Sequence, residues 1–372
     1  MSTEMHLQKL SIINFKNYED STLQFTEKIN CFIGDNGAGK TNLLDAIHYL
    51  SFCKSYFNPV DTQNIRHNET FFSIHGSFLK NGDNPDIISC IQKTDQRKIF
   101  RINQKEYERL ADHIGLFPLV MVSPYDRDLI NEGSEVRRRY LDGVISQFDR
   151  SYLDDLISYN KALAQRNALL KHFSESRTFN AVALEIWDAQ LVDYGQKIHE
   201  KRYAFLHNFI PVFRKYFEFI SEGKETVDIK YLSQLFDRKL DELLAVNVEK
   251  DRMARYTTQG IHKDDLEFMI SGFPLKKFGS QGQQKSFVVA IKLAQFDYTR
   301  DIKGFKPILL FDDIFDKLDD KRVHQIIRLV SENSFGQVFI TDTQRSRIEK
   351  LFEEVAIDHR IFEISAGQVN LL

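Results

Sequence analysis

Gly34-Asp35-Asn36-Gly37-Ala38-Gly39-Lys40-Thr41 is the stretch from which the rest of the chain can be ordered. It fits the spacing G-x-x-x-x-G-K-[ST] of a phosphate-cradling loop. Its flanks agree with that. The apolar run Ile29 to Ile33 reads as a strand ending at Gly34, and Leu43, Ile47 and Leu50 recur at helical spacing over Thr41 to Phe52. Glycines let the backbone turn tightly and aim N–H groups at phosphate oxygens, and the helix N-terminus adds partial positive charge. In such a loop Lys40 reaches the β- and γ-phosphates of ATP, and Thr41 offers its hydroxyl to Mg2+. The bland alternative is a glycine-rich turn with a chance lysine; the strand and helix on either side count against it.

Further along, Ile308-Leu309-Leu310-Phe311-Asp312-Asp313 reads as a buried strand with two carboxylates at its C-terminal end, the edge where open α/β sheets bind ligands. Asp312 is placed to hold Mg2+ through its water shell, and Asp313 to orient or deprotonate an attacking water. Shortly before it, Phe278-Gly279-Ser280-Gln281-Gly282-Gln283-Gln284-Lys285 leads into the helical run Ser286 to Phe296. A Ser-x-Gly-Gln that opens a helix is either a second anion site or a plain capped helix. The order of these pieces resembles the ABC ATPase arrangement: phosphate loop, helical insertion, signature, acidic strand end. In that class the signature serine and glycine, here Ser280 and Gly282, contact the γ-phosphate held by the other subunit. Leu318-Asp319 resembles the loop that runs along the dimer interface. Ile340-Thr341-Asp342-Thr343 stands where many of these proteins carry a switch histidine, so Thr341 or Thr343 inherits that role.

The chain has 372 residues, more than one compact core usually organises, so two domains or one domain with a large insertion are expected. Phe71 to Leu79 and Ile87 to Lys93 read as strands around the turn-rich Lys80 to Asp86. From about Asp126 to Asp251 the pattern is helical and charged. Ile186, Leu191, Tyr194, Ile198, Tyr203, Leu206, Ile210 and Phe213 form an amphipathic series that Pro211 would interrupt. This insertion is either a short helical arm or a set of packed helices. Pro307 precedes the Ile308 strand, Val338 to Ile340 reads as another, and Val323 to Val330 has helical spacing. The expected fold is therefore α/β: an ABC-type P-loop ATPase head with a mixed sheet and helices over 1–124 and 256–372, and a mostly helical second lobe over 125–255.

No run approaches the roughly 18 apolar residues of a membrane span, and Met1 to Lys9 does not look like a signal peptide, so no membrane partner is expected. Cys31, Cys53 and Cys90 form no CxxC pair and read as buried thiols of a reducing cytoplasm. The formal net charge of −3 means that any nucleic-acid contact comes from local patches or from a surface built by two subunits.

With these motifs placed, the whole chain resembles the RecF family of bacterial recombination mediators, relatives of SMC heads. Asn14-Phe15-Lys16-Asn17-Tyr18 is similar to its NFRNY, with Lys16 for arginine, a change that keeps charge but loses the planar fork. Ser123-Pro124 with Arg137-Arg138-Arg139-Tyr140-Leu141-Asp142 resembles SPED…GGP..RR.FLD, with Ser134 in place of the proline. Gly260-Ile261-His262-Lys263-Asp264-Asp265-Leu266 resembles GPHRDDL, and Asp312 to Asp319 resembles DDVFSELD with Asp316 for serine. The resemblance implies an ATP- and Mg2+-dependent homodimer with weak, DNA-stimulated ATPase activity. It implies single- and double-stranded or gapped DNA as substrate, a RecR-like partner, recombinase loading and a link to the SOS response. It also implies that nucleotide contact extends to Lys16, Asn17, Asn42 and Gln283. Arg137 to Arg139 are either a solvated face or a DNA or ion-pair element. His262 reads as a structural histidine, and Tyr18 as either an adenine stack or a core residue. Lys276, Lys277, Arg345 and Arg347 are the basic residues assigned to DNA from charge alone. A transporter motor is the rival reading, but it normally has a short insertion and a Glu after the strand-end aspartate. A metabolic kinase would lack the Ser-x-Gly-Gln element. Another SMC-like head would bring long coiled coils or a nuclease carboxylate cluster.

Overall fold

The computed structural model describes residues 5–80, 84–314, 325, 328, 335–354 and 357–372. The expected elements at Asp316 and Leu318-Asp319, and all of Val323 to Val330 but Gln325 and Arg328, lie outside the described residues. The chain divides into two compact units. The first comprises Met1–Arg127, Tyr216–Gly223 and Gln281–Leu372; the second comprises Asp128–Lys215 and Lys224–Ser280.

The first unit begins with β1 (Met5–Phe15) and β2 (Tyr18–Gln24), then β3 (Ile29–Ile33) and α1 (Lys40–Phe52). The strands β4 (Phe71–Lys80), β5 (Asp86–Lys93), β6 (Ile99–Ile102), β7 (Lys105–Glu106) and β8 (Leu119–Val122) follow. One sheet is antiparallel, in the order β2-β1-β4-β5-β6-β7. Its alternation is plain in β4, where Phe72, Ile74 and Phe78 are buried on one face.

The second unit holds α2 (Asp128–Asn131), α3 (Ser134–Ser146), α4 (Arg150–Ser176), most of α5 (Ala181–Ser221), β9 (Val227–Leu232), α6 (Leu240–Val246), α7 (Val248–Ala254), β10 (Asp265–Ile270), β11 (Phe273–Pro274) and α8 (Leu275–Phe278). The lobe is mostly helical, with the short strands β9, β10 and β11 added, but it does not end at 255. β9 pairs antiparallel with β10 from Asp265↔Leu232 to Ile270↔Val227, which ties 265–274 to the insertion and moves the boundary to Ser280. Nor does Pro211 interrupt the long helix: α5 runs through it. Pro211 and His207 are both exposed, so the His207 carbonyl that loses its helical donor faces water. Phe205, Phe209, Phe213 and Phe217 bury the opposite stripe and hold the helix together.

After that boundary come α9 (Gln281–Lys303), β12 (Ile308–Phe311), β13 (Val338–Asp342), the helix Arg345–Glu354, β14 (His359–Ser365) and β15 (Gln368–Leu371), all in the first unit. The second large sheet has the order β15-β14-β3-β13-β12-β8. β14, β3, β13, β12 and β8 are parallel neighbours, and β15 returns as a hairpin on β14. Both faces of β3 and β12 are buried, as expected for continuous apolar runs in a parallel sheet. α1 touches β1, β4 and β5 of one sheet and β8 and β13 of the other, so it is buried almost all round. That position plants its N-terminus at the ends of β3 and β12.

Candidate nucleotide site

β3 delivers the chain into the loop at Gly34. There φ is 152°, and a Cβ would stand 2.2 Å from the Ile364 carbonyl oxygen of β14, so only glycine fits. At Gly39, φ is 118° and a Cβ would meet the Asn17 side-chain amide at 2.5 Å. The loop is braced from outside. Asn17 Nδ2 donates to the Ala38 carbonyl at 2.9 Å, Tyr18 OH to the Gly39 carbonyl at 3.0 Å, and Gly367 N to the Ala38 carbonyl at 3.2 Å. Asn42 Nδ2 in turn holds Asn17 Oδ1 at 2.7 Å. These bonds fix the Ala38 and Gly39 carbonyls from outside the loop. Lys40 is buried and curls over the loop, donating to the carbonyls of Gly34 at 2.8 Å and Asp35 at 2.9 Å. Asp35, Asn36 and Gly37 stay exposed.

Opposite the loop, β12 ends at Asp312. Thr41 Oγ1 donates to Asp312 Oδ1 at 2.8 Å, and Thr341 Oγ1, at the end of β13, donates to the same oxygen at 3.0 Å. Thr341 Oγ1 also accepts from the Asp313 N–H at 2.9 Å. Asp313 has φ 43°, a left-handed conformation that Asp tolerates better than most residues and that recurs at functional turns. Burial pushes the Asp312 carboxyl up to about 6, against the hydrogen bonds of Thr41 and Thr341 that favour its charged form. Lys40, Thr41, Asp312, Asp313 and Thr341 are thus brought together; Thr343 is exposed. Ser280 is exposed and closes the second unit, while Gly282 and Gln283 lie in the first turn of α9.

The Lys16 ammonium pairs with the fully buried Asp45 carboxylate at 2.6 Å and lies 5.2 Å from the Phe57 ring. Tyr18 is a buried brace, not an adenine stack. His262 bonds Tyr159 OH at 2.8 Å and the Thr257 carbonyl at 3.0 Å, and burial lowers it to about 4, so it is a neutral structural imidazole. Arg137 grips Asp265 with two nitrogens at 2.7 and 3.0 Å, Arg138 donates to the Asp264 carbonyl, and only Arg139 lies on a solvated face, with Glu135. Of the four basic residues, Lys276 donates to the Asn131 carbonyl, Arg345 pairs with Glu349 and Arg347 with Asp342. Sequence reasoning missed Gly367, whose clue was a hairpin turn between the alternating stretches 359–365 and 368–371. It also missed Asp45, Asp126 and Lys292, which carry no motif signal.

A phosphate loop facing a threonine-clasped aspartate at the end of a parallel strand, beside an antiparallel sheet, defines an ATP-binding head of the ABC type in its SMC-like branch. The model of the RecF/RecN/SMC N terminal domain matches residues 6–363. The Smc head domain of Pyrococcus furiosus shares the fold, with TM-score 0.58 at 17% identity over 99% of this chain and 96% of that one.

Within that class the chain belongs to the RecF family. The "DNA replication and repair protein RecF" of Flavobacterium johnsoniae is 51% identical over 360 residues, 97% of this chain and all of that protein. The protein of the same name from Bacteroides thetaiotaomicron is 48% identical over 366 residues, 98% of each chain. A solved structure described as the recombination mediator protein RecF-ATP in the RecFOR pathway superposes with TM-score 0.90 at 30% identity, covering 100% of this chain and 99% of that one. Among the described residues no helix is long and apolar enough to cross a membrane.

Proposed function

We propose that this protein uses ATP as an assembly switch on DNA: two copies enclose two nucleotides, and hydrolysis releases the copies and the DNA. The observation that carries the reading is the 2.8 Å bond from Thr41 to Asp312, which holds the phosphate-loop helix against the acidic strand end. Lys40 would exchange the Gly34 and Asp35 carbonyls for β- and γ-phosphate oxygens. Asp313 would orient the attacking water, with Thr341 holding the Asp313 backbone in place.

The Thr41 hydroxyl and Asp312 carboxylate are hard oxygen donors that suit Mg2+. Among the described residues no three His, Cys, Asp or Glu side chains are grouped as a metal site. That suits an ion which keeps several waters and takes the rest of its shell from phosphate. When bound, Mg2+ would neutralise charge developing between the β- and γ-phosphates. Asp312 would have to surrender its proton first, which its raised pKa opposes below about pH 6.

Ser280, Gly282 and Gln283 of each copy would complete the pocket of the other at the N-terminus of α9. Family membership, and the relatives' names as replication and repair proteins, support DNA as substrate. The pathway named for the related ATP-bound structure supports a RecR-like partner, and the family resemblance adds recombinase loading at gapped DNA and a link to the SOS response to this reading. Slow, DNA-stimulated hydrolysis suits a switch better than a motor. The division proposed is an ATPase head in the first unit and a second lobe that positions Ser280.

One paired experiment tests the scheme. Lys40→Ala is expected to abolish ATP binding. Ser280→Arg is expected to leave single-chain ATP binding intact and to eliminate ATP-dependent pairing in sedimentation. A Ser280→Arg protein that still pairs with ATP removes the shared pocket from consideration.

A further inference from the structure

The helix that carries Gly282 in its first turn is gripped from the inside of the first unit at a point far from that end. Lys292 of α9 is buried, and its Nζ lies 2.8 Å from Asp126 Oδ1 and 3.3 Å from Tyr56 OH. Asp126 is also buried and accepts from the Ser123 N–H at 2.7 Å and from Tyr56 OH. Ser123 directly follows β8, and the Val122 carbonyl of β8 accepts from the Asp312 N–H at 2.8 Å. Tyr56 has a second attachment: its backbone N–H donates to Asp45 Oδ1 at 2.7 Å. Asp45 lies one turn after Thr41 on α1, fully buried, and its other oxygen takes Ser55 Oγ and Lys16 Nζ, each at 2.6 Å. His48, edge-on to the Tyr56 ring at 5.1 Å, holds that ring from the α1 side. Tyr56 is therefore a strut. One end rests on the phosphate-loop helix; the other meets the acidic turn beside the Asp312 strand and the lysine of α9.

A buried lysine–aspartate pair is a poor source of stability, since well-packed apolar side chains of similar volume often do as well or better. What the pair does supply is a fixed point. Lys292 lies about 16 Å along the helix axis from Gln281, so a rotation of about 4° at Lys292 moves the start of α9 by roughly 1 Å. A shift of that size decides whether donors reach a phosphate. Nearer the start, Arg127 Nη2 reaches Gln284 Oε1 at 3.4 Å. Beyond the fixed point, Tyr216 OH holds Asp297 at 2.6 Å.

We propose that Lys292 is the fulcrum of α9, a positioning residue through which the phosphate-loop helix, by way of Tyr56 and Asp126, aims Gly282 and Gln283 at a second copy's nucleotide. This rests on the shared-pocket reading above. Occupation of the loop would move α1 and Asp45 with it, and the strut would pass that displacement to α9.

Lys292→Met keeps the apolar stem and removes the charge. In the full-length protein it is expected to weaken ATP-dependent pairing, followed by light scattering, by about tenfold or more, while single-chain ATP affinity stays within about twofold. Tyr56→Phe, which removes only the hydroxyl, is expected to act in the same direction by about threefold, and the double variant to be little worse than Lys292→Met alone. Lys292→Arg should restore part of the pairing. A merely structural role would instead lower the melting temperature and ATP affinity together with pairing, and that result overturns the proposal. So does unchanged pairing in Lys292→Met while Ser280→Arg fails to pair; in that case the shared pocket stands and only the fulcrum falls. If wild type does not pair with ATP, or Ser280→Arg still does, the shared pocket falls and takes the fulcrum with it.

Discussion

Asp312 shows how one residue carries two conflicting demands. Burial disfavours its charge, yet the proposed Mg2+ site needs the carboxylate ionised. Its folded-state pKa, about 6, lies above the ordinary value of 3.8, so the native state keeps a proton that the unfolded chain releases. Native stability therefore declines as pH rises from about 4 to about 6, and the full cost is present above that window. Asp312→Asn removes the charge and keeps an oxygen for the Thr41 and Thr341 hydroxyls. It is expected to raise the nucleotide-free stability at pH 7.5, by up to about 3 kcal/mol, and to abolish Mg2+-dependent ATP binding. In wild type, Mg2+-dependent ATP affinity should weaken as pH is lowered through about 6. Thermal melts and nucleotide titrations across pH 5 to 8 would check both; a less stable Asn variant would mean that the charge at 312 is no burden. The place of Asp312 at a strand end was legible because strand-end carboxylates follow a general rule. The pairing of Lys16 with Asp45 was not, since nothing in the local sequence says which side of a loop a lysine will choose.

At the scale of elements, the second unit is tied together by buried arginines rather than by apolar contacts alone. Arg202 of α5 is almost wholly buried and reaches Asp142 of α3 at 2.8 Å, Asp264 at 2.9 Å and the Ile261 carbonyl at 2.9 Å. Tyr231 of β9 donates to the same Asp264 oxygen at 2.6 Å. Arg202→Met would leave Asp264 buried with its charge uncompensated. The expected loss is about 3–5 kcal/mol in urea unfolding; a loss under about 1 kcal/mol would mean that these charges are solvated. This junction also explains where sequence reading stopped. Strands β3, β4, β5 and β12 and helix α1 were legible from periodicity and glycine placement, because their burial patterns are local. The lobe boundary was not. It depends on β9 pairing with β10 across an intervening pair of helices, and short apolar runs do not name their partners. Pro211 misled for a related reason: its cost is set by whether the freed carbonyl meets water, a property of the helix face and not of the residue.

For the whole molecule, charge ties the proposed DNA binding to the proposed pairing. A formal net charge of −3 provides no general attraction for a polyanion, so any DNA contact must come from local basic surface. Each phosphate neutralised releases counterions, and the logarithm of affinity falls against the logarithm of salt with a slope of about −0.9 per contact on duplex DNA. If each copy brings its own patch, an ATP-linked pair engages twice as many phosphates as a single copy. The salt slope measured with a non-hydrolysable ATP analogue should then be about twice that of Ser280→Arg, which is expected to bind nucleotide without pairing. Fluorescence anisotropy on gapped duplex between roughly 50 and 200 mM salt reads this directly, since a pair making about six contacts loses on the order of a thousandfold in affinity over that range. Equal slopes would mean that pairing adds no DNA surface, and a flat dependence that the phosphate backbone is not what the protein holds. A doubled slope would give ATP its use in this molecule: two weakly attractive copies become one binder only while nucleotide joins them.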